Sequence, residues 1–239
     1  EFRLHGRKRG KAFWTFAFSA GSLGATIAQG FVLGGFIQGV TVADGRFAGQ
    51  PFDWLTPYTL LVSAGIGYAA IAVTILSGSL AVQLAAGLVG ALALYRALMF
   101  IHELTHIHRD ALPGFRTGWN LLVGIPLLTP SFMYEGVHTI HHKRTQYGTV
   151  EDPEYLPLAL MKPWSLPLFV LVAMLLPVAL IVRFGLLYPL GLIIPPLRKF
   201  TWERFSSLSI NPEFRRKAPE GDFVGRVRWQ EAGASLWAI

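Results

Sequence analysis

Long apolar stretches separated by short polar segments dominate the first half of the chain. Residues 12–38 are apolar and glycine-rich, long enough to cross about 30 Å of hydrocarbon. Residues 57–101 are almost wholly apolar and would be roughly 65 Å long as one helix, twice the thickness of a membrane. They therefore predict two spans that turn near Ser77, Gly78 and Ser79. The fold class predicted is an all-α, polytopic integral membrane protein.

The apolar pattern is less regular in the second half. Residues 119–134 are short for a span and contain Pro126 and Pro130, which predicts a re-entrant or interfacial helix pair. Residues 164–197 predict either a tight hairpin or one span with an interfacial piece. Residues 198–231 hold many charges and predict a cytoplasmic loop, after which the apolar end of the chain looks like the start of another helix.

Composition supports a membrane protein and excludes several kinds of metal and redox site. Charged residues make up 15% of the chain, against about 25% in soluble domains. The chain has no cysteine, which excludes disulfides, thiolate metal sites and iron–sulfur clusters. The net charge of +7 is better explained by basic loops kept on the cytoplasmic side than by a nucleic-acid partner.

Histidines carry the candidate chemistry, because six of the seven lie within one short region. His102 and His106 are four residues apart and share one helix face. His138, His141 and His142 follow an i, i+3, i+4 spacing and share another face. Imidazole is the commonest metal ligand in proteins, so these five residues predict much of a metal site.

The first cluster also matches a zinc-protease pattern. His102, Glu103 and His106 form H-E-x-x-H, in which two histidines bind zinc and the glutamate acts as general base. That pattern does not require a second helix with three histidines. The second cluster therefore favours another chemistry, and the membrane zinc protease is kept as an alternative.

The two clusters resemble the first two histidine boxes of the membrane fatty acid desaturase superfamily. The residues before them match as well: Ile101 precedes the first cluster, and Tyr134-Glu135-Gly136-Val137 precede the second. Residues 147–155 resemble the polar segment that follows the second box, and the likeness covers roughly residues 78–239. It implies O₂-dependent desaturation of fatty acyl chains, with the boxes at the cytoplasmic face of a bacterial inner membrane. Lipid or carotenoid hydroxylation or ketolation is the alternative within the superfamily.

The resemblance also implies a cofactor and partners. Two non-haem irons would be held by a ligand set comprising His102, His106, His138, His141 and His142. The substrate would be a fatty acyl membrane lipid, and electrons would come from a donor such as a ferredoxin or cytochrome. The superfamily has a third box, whereas no histidine follows His142, so we expect a fragment that is inactive alone.

Polar residues beside the boxes are candidates for orienting the ligands. Glu103 and Glu135 are interpreted in this way, with a simple salt bridge as the alternative for Glu103. His108 is either a solvated interfacial residue or a further ligand, and His5 in the basic N-terminal tail is not expected to be one.

Other neighbours have structural alternatives. Glu151 and Asp152 are interpreted as a solvated loop, with a helix cap or a contact to a head group or electron donor as the alternatives. Trp119 and Asn120 are interpreted as interfacial residues, with lining of an acyl tunnel as the alternative.

The front of the chain carries a second resemblance. Residues 24–40 and 51–61 are similar to an early helix pair of subunit II of cytochrome bd-type quinol oxidases, over roughly residues 1–75. This implies a chimera with domains at 1–76 and 77–239, and a structural oxidase fragment as an alternative function. It would also explain a topology conflict, since three spans before His102 would put two basic segments on opposite sides of the membrane.

Overall fold

The computed structural model describes residues 55–107, 112–155 and 161–239. Every regular element in those residues is helical. The α-helices are α1 Leu55–Leu76, α2 Leu80–His106, α3 Phe115–Trp119, α4 His138–His141, α5 Ser165–Met174, α6 Leu176–Val182, α7 Tyr188–Ile193, α8 Pro195–Phe205 and α9 Asp222–Ala238; short π-helices cover Asn120–Gly124 and Arg183–Leu187, and a 3₁₀ turn covers Ser131–Met133.

The chain divides into two compact units. One comprises residues 1–50 with 156–174, of which α5 is the described helix, and the other comprises residues 51–155 with 175–239. The second unit holds all the remaining helices of the described residues and both histidine clusters. The predicted span at 12–38, and the topology conflict that depends on it, lie outside the described residues.

Three helices in the described part of the chain are long and apolar enough to cross a membrane. They are Pro57–Leu76, Leu80–His106 and Leu176–Ile193, the last being α6, a π-helix and α7 in continuous succession. Their apolar side chains are largely exposed, as expected for surfaces that face lipid rather than a protein core. The prediction of an all-α polytopic fold is therefore confirmed, and the chain is an integral membrane protein.

Helices α1 and α2 form a tightly packed hairpin whose turn lies where it was predicted. Ser79 is extended and precedes the first residue of α2. A Cβ atom on Gly67 would lie 2.6 Å from Cγ of Leu94, and one on Gly90 would lie 3.4 Å from Cβ of Ala70. The two backbones approach this closely because small residues line the contact.

The segment after α2 folds back against it rather than crossing the membrane. Trp119 at the end of α3 is fully buried, and its indole N–H donates to the carbonyl of Ala97 in α2 over 2.9 Å. Asn120 is also fully buried, and its amide oxygen accepts the backbone N–H of Ser131 over 2.8 Å. The interpretation of Trp119 and Asn120 as interfacial residues is wrong, because both are used to fix this segment internally.

The C-terminal region corrects a second prediction. The expected loop at 198–231 contains most of α8 and the first part of α9, and the apolar end of the chain is the last turn of α9 rather than a new helix. Two prolines open α8, a position where proline is favourable. One charge of α9 is buried: Glu231 accepts from the buried Arg183 over 2.5 Å and from the partly exposed Arg198 over 2.9 Å.

Candidate metal centre

Four histidine side chains converge at the end of α2. His102, His106, His138 and His142 each offer one ring nitrogen, and these nitrogens all lie within 4.8 Å of one another. Nε2 of His138 is central, at 3.1 Å from Nε2 of His106 and 2.8 Å from Nε2 of His142. The ring centroids of His102 and His138 are 4.5 Å apart.

Local structure explains how the two clusters present their rings. His102 and His106 lie one turn apart in the last turns of α2, and the chain becomes extended at Ile107. The second cluster lies on a single helical turn, α4, and its first residue, His138, is buried. Gly136 just before it has φ of +78°, a left-handed conformation that glycine adopts without a steric penalty.

The orientation of His138 is set from the side opposite the cluster. Its Nδ1 lies 2.7 Å from Oε1 of Glu154 and 2.9 Å from the hydroxyl of Tyr134. A carboxylate at this distance accepts a hydrogen bond from the Nδ1–H group of His138 and leaves the Nε2 lone pair facing the other histidines. Burial lowers the pKa of His138 more than Glu154 raises it, so the ring stays neutral, as a metal ligand must.

Tyr134 completes this arrangement. Burial raises the pKa of the Tyr134 hydroxyl, and the Glu154 charge together with a hydrogen bond to it adds to the rise. The phenol therefore stays protonated and donates to the carboxylate. Glu154 thus accepts from two sides, which fixes the position of its oxygens beside His138.

His141 is oriented by a different carboxylate. Its Nδ1 lies 3.0 Å from both oxygens of Asp152, whose side chain is only 1% exposed. Backbone N–H groups of Gly148 and Glu154 also donate to Asp152. Burial acts to raise the pKa of Asp152, but these hydrogen bonds and His141 hold it below its usual value.

The structure therefore brings four of the five predicted ligands together, while His141 is turned towards Asp152. A ligand role for His141, through its remaining nitrogen Nε2, stays a prediction. The solvated-loop interpretation is wrong for Asp152, which is buried, whereas Glu151 is exposed. His108 and His5 lie outside the described residues.

The two glutamates expected to orient ligands behave differently. Oε1 of Glu103 lies 3.6 Å from Nδ1 of His102, which is too far for a hydrogen bond, so the orienting role of Glu103 and the salt bridge both stay predictions. The carboxylate of Glu135 instead accepts from Arg116 over 3.3 Å and from Arg226 over 3.0 Å. The second cluster is oriented by Asp152 and Glu154 instead. Glu154 was not predicted from the sequence, because it lies in an irregular loop whose contacts follow no helical or strand periodicity.

The geometry fits a metal ion bound by imidazole nitrogens. Two nitrogens bound to one metal at about 2.0–2.1 Å must lie about 3 Å or slightly more apart, close to the spacing between His138 and each of His106 and His142. A neutral His138 that donates its Nδ1–H group to Glu154 has its Nε2 lone pair free to face both neighbours. An all-nitrogen donor set suits iron, zinc or copper.

Comparison with known proteins places this histidine site in a family. Residues 77–219, which include both histidine clusters, match the family model described as fatty acid desaturase. The chain belongs to the fatty acid desaturase family. The resemblance drawn from the two histidine boxes is confirmed, and membership of this family favours a two-box metal centre over an H-E-x-x-H protease.

One relative of this desaturase-family chain is named for an activity. The chain is 46% identical over 183 residues to a ceramide hydroxylase of Caulobacter vibrioides (strain NA1000 / CB15N), an alignment that covers 75% of this chain and 51% of the relative. The chain thus spans about half the length of the relative that it matches. No solved structure matches the chain.

Two predictions about the front of the chain are not tested by these findings. The likeness of residues 1–75 to a quinol oxidase subunit stays a prediction, as does the division into domains at 1–76 and 77–239. Within the described residues, α1 packs along α2, so residues 55–76 form one hairpin with the helix that carries the first histidine cluster.

Proposed function

We propose that the protein is an O₂-dependent lipid oxygenase that hydroxylates an acyl-chain lipid of the ceramide type. The observation that carries the proposal is the convergence of His106 and His142 on Nε2 of His138, inside the region that matches the desaturase family. The relative named ceramide hydroxylase supports hydroxylation and the sphingolipid class of substrate.

The residues present fit a non-haem iron centre. His102, His106, His138 and His142 would hold iron, and His141 would join them through Nε2. When bound, an iron pair would activate O₂ and supply the oxidising power that an unactivated C–H bond requires. Glu154 and Asp152 would keep the Nδ1 protons of His138 and His141 in place, so that both rings present Nε2 to the metal.

Hydroxylation has a simple balance. One C–H bond is replaced by C–OH, one oxygen atom of O₂ enters the lipid, and the other leaves as water with two electrons and two protons from outside. A ferredoxin or cytochrome-type protein is the proposed electron donor. We place the centre at the cytoplasmic face of a bacterial inner membrane, because basic residues such as Lys143 and Arg144 follow the second cluster.

Desaturation is the second candidate and is supported by the description of the matching family. It uses the same O₂ and two electrons but removes two hydrogens from adjacent carbons, so that both oxygen atoms leave as water. The same ligands serve either reaction, because the outcome depends on how the lipid C–H bonds lie against the metal.

Isotope labelling separates the two. The full-length protein is expressed in a host that supplies ceramides, grown under ¹⁸O₂, and the lipids are measured by mass spectrometry. Hydroxylation predicts a lipid that gains one ¹⁸O atom, and desaturation predicts a lipid that loses two hydrogens without label. The matched pair is His138→Ala, expected to abolish the product, and Thr139→Ala, an exposed neighbour expected to retain it.

If the lipids stay unchanged although the folded protein is inserted in the membrane and an electron donor is present, both candidates are contradicted. Equal product from the His138→Ala and Thr139→Ala variants would contradict the placement of the centre.

A further inference from the structure

A cavity of about 810 Å³ lies apart from the histidine cluster, between α7, α8 and α9. Its lining residues include Leu192 and Pro195, on either side of the point where the third span ends and α8 begins. Its walls are mainly apolar and include Leu187, Leu192 and Val227. The cavity is large enough for part of an amphiphilic molecule.

One end of the cavity is polar and buried. Glu231 lines it, with its side chain 3% exposed, and bonds both Arg183 and Arg198. Two guanidinium groups on one carboxylate leave this end positive. Thr201 also lines the cavity and is 4% exposed, yet its hydroxyl has no hydrogen-bond partner within the described residues.

The opening adds further positive charge. Lys199, whose side chain is 79% exposed, and the exposed Arg228 both line the cavity. Glu203 lies 3.8 Å from Lys199 and balances it in part. Cations therefore outnumber carboxylates around a cavity that also holds an unpartnered buried hydroxyl, which is the chemistry that recognises a phosphate.

The position in the membrane selects the source of that phosphate. The charged residues of α8 follow an apolar span directly, which places them at the level of lipid head groups. The apolar walls continue along α7, a helix that lies within the span. A free phosphate would leave those walls without a partner, whereas a phospholipid has an acyl chain to cover them.

We propose that this cavity binds an anionic membrane phospholipid. The phosphate accepts from the guanidinium groups of Arg198 and Arg228, and from the Thr201 hydroxyl once that side chain, whose oxygen is sealed in the lipid-free structure, turns into the cavity. An acyl chain lies along Leu187 and Leu192. The bound lipid is distinct from the molecule that is oxidised, and it joins the end of the third span to α9.

Lipid binding to the full-length protein in neutral detergent tests the proposal. Native mass spectrometry and thermal unfolding are measured with phosphatidylglycerol, with phosphatidylcholine of the same acyl chains, and with inorganic phosphate. Phosphatidylglycerol is expected to bind saturably and to raise Tm, and the other two are expected to do so far less. Equal effects of phosphatidylcholine, or of inorganic phosphate alone, would overturn the proposal.

Three variants locate the site. Thr201→Val and Arg228→Gln are each expected to weaken phosphatidylglycerol binding about tenfold, the loss typical of one hydrogen bond to a charged group. Arg204→Gln, an exposed change on the same helix α8 that does not line the cavity, should bind as the wild type does.

Thr201→Val also separates lipid binding from folding. Valine has nearly the same shape and removes a buried hydroxyl that has no partner, so the lipid-free Tm is expected to stay the same or to rise. Wild-type affinity in both Thr201→Val and Arg228→Gln would overturn the proposal. So would a full-length protein that binds no phospholipid because another part of the chain fills the cavity.

Discussion

His106 and His138 are 32 residues apart in sequence, and their Nε2 atoms lie 3.1 Å apart. The first ends a membrane-spanning helix, and the second begins a single helical turn. The two elements contact each other through these histidine rings. The intervening segment supports that contact, because it is bound to α2 through Trp119 and joins Leu104 to Glu135 through Arg116.

Arg116 connects the two histidine clusters. Its Nη2 donates to the carbonyl of Leu104, between the first two histidines, over 2.5 Å, and its Nη1 donates to Glu135 over 3.3 Å. We expect Arg116→Gln to lower iron affinity about tenfold, since supporting contacts of metal ligands have effects of this size. The measurement is iron retained after dialysis against graded chelator.

The matched control for Arg116 is Arg144→Gln, because Arg144 is exposed just after the second cluster. It removes the same charge from the same region without a contact to Leu104 or Glu135. Equal iron loss in the two variants would show that charge, and not the connection between clusters, explains the effect.

Asp152 is expected to act on the metal through His141. Asp152→Asn keeps the size of the side chain but removes the charge that holds the Nδ1 proton of His141. We expect a tenfold to hundredfold loss, roughly, in iron affinity, again measured by dialysis against chelator. Glu151→Gln, an exposed neighbour, should have no effect, and an Asp152→Asn variant with wild-type iron affinity would exclude the orienting role.

Glu231 is expected to be essential for stability rather than for chemistry. Glu231→Gln leaves Arg183, which is 2% exposed, without its carboxylate, and breaking a buried pair on one side costs about 3–5 kcal/mol. The free energy of unfolding in detergent measures this. Glu203→Gln removes only the exposed pair with Lys199 and should cost less than about 1 kcal/mol; similar losses in both would contradict the buried network.

Gly67 and Gly65 on α1 provide a matched test of the hairpin. An added Cβ at Gly67 would lie 2.6 Å from Leu94, whereas one at Gly65 would meet nothing within 4 Å. Gly67→Ala is expected to destabilise the protein by about 1–3 kcal/mol, the cost of overpacking, as measured by unfolding in detergent. Gly65→Ala should be neutral or slightly stabilising, and the reverse order would mean that α1 and α2 pack differently.

Several features were predictable from sequence because they depend on length or helical period. Apolar residues 57–101 had to break near Ser77, since one helix of that length exceeds the membrane thickness. His102 and His106 had to share a face because they are four residues apart. The family could be predicted from the spacing of the histidines in the two clusters, because this spacing is a short-range pattern that can be read directly from the sequence.

Other features depend on contacts between distant parts of the chain and left no local signal. Asp152 and Glu154 look like solvated loop residues until the loop folds onto the second cluster. Helices α8 and α9 look like a polar loop because they carry many charges, and the buried pair that Glu231 makes with the distant Arg183 has no local signal. Trp119 looks interfacial until its N–H meets the carbonyl of Ala97.

The metal content of the purified full-length protein shows whether the converging histidines hold iron. Elemental analysis is predicted to show about two irons per chain, retained in Thr139→Ala and lost in His138→Ala. Zinc at about one ion per chain, as in a single catalytic zinc site, or iron unchanged by His138→Ala, would contradict the account.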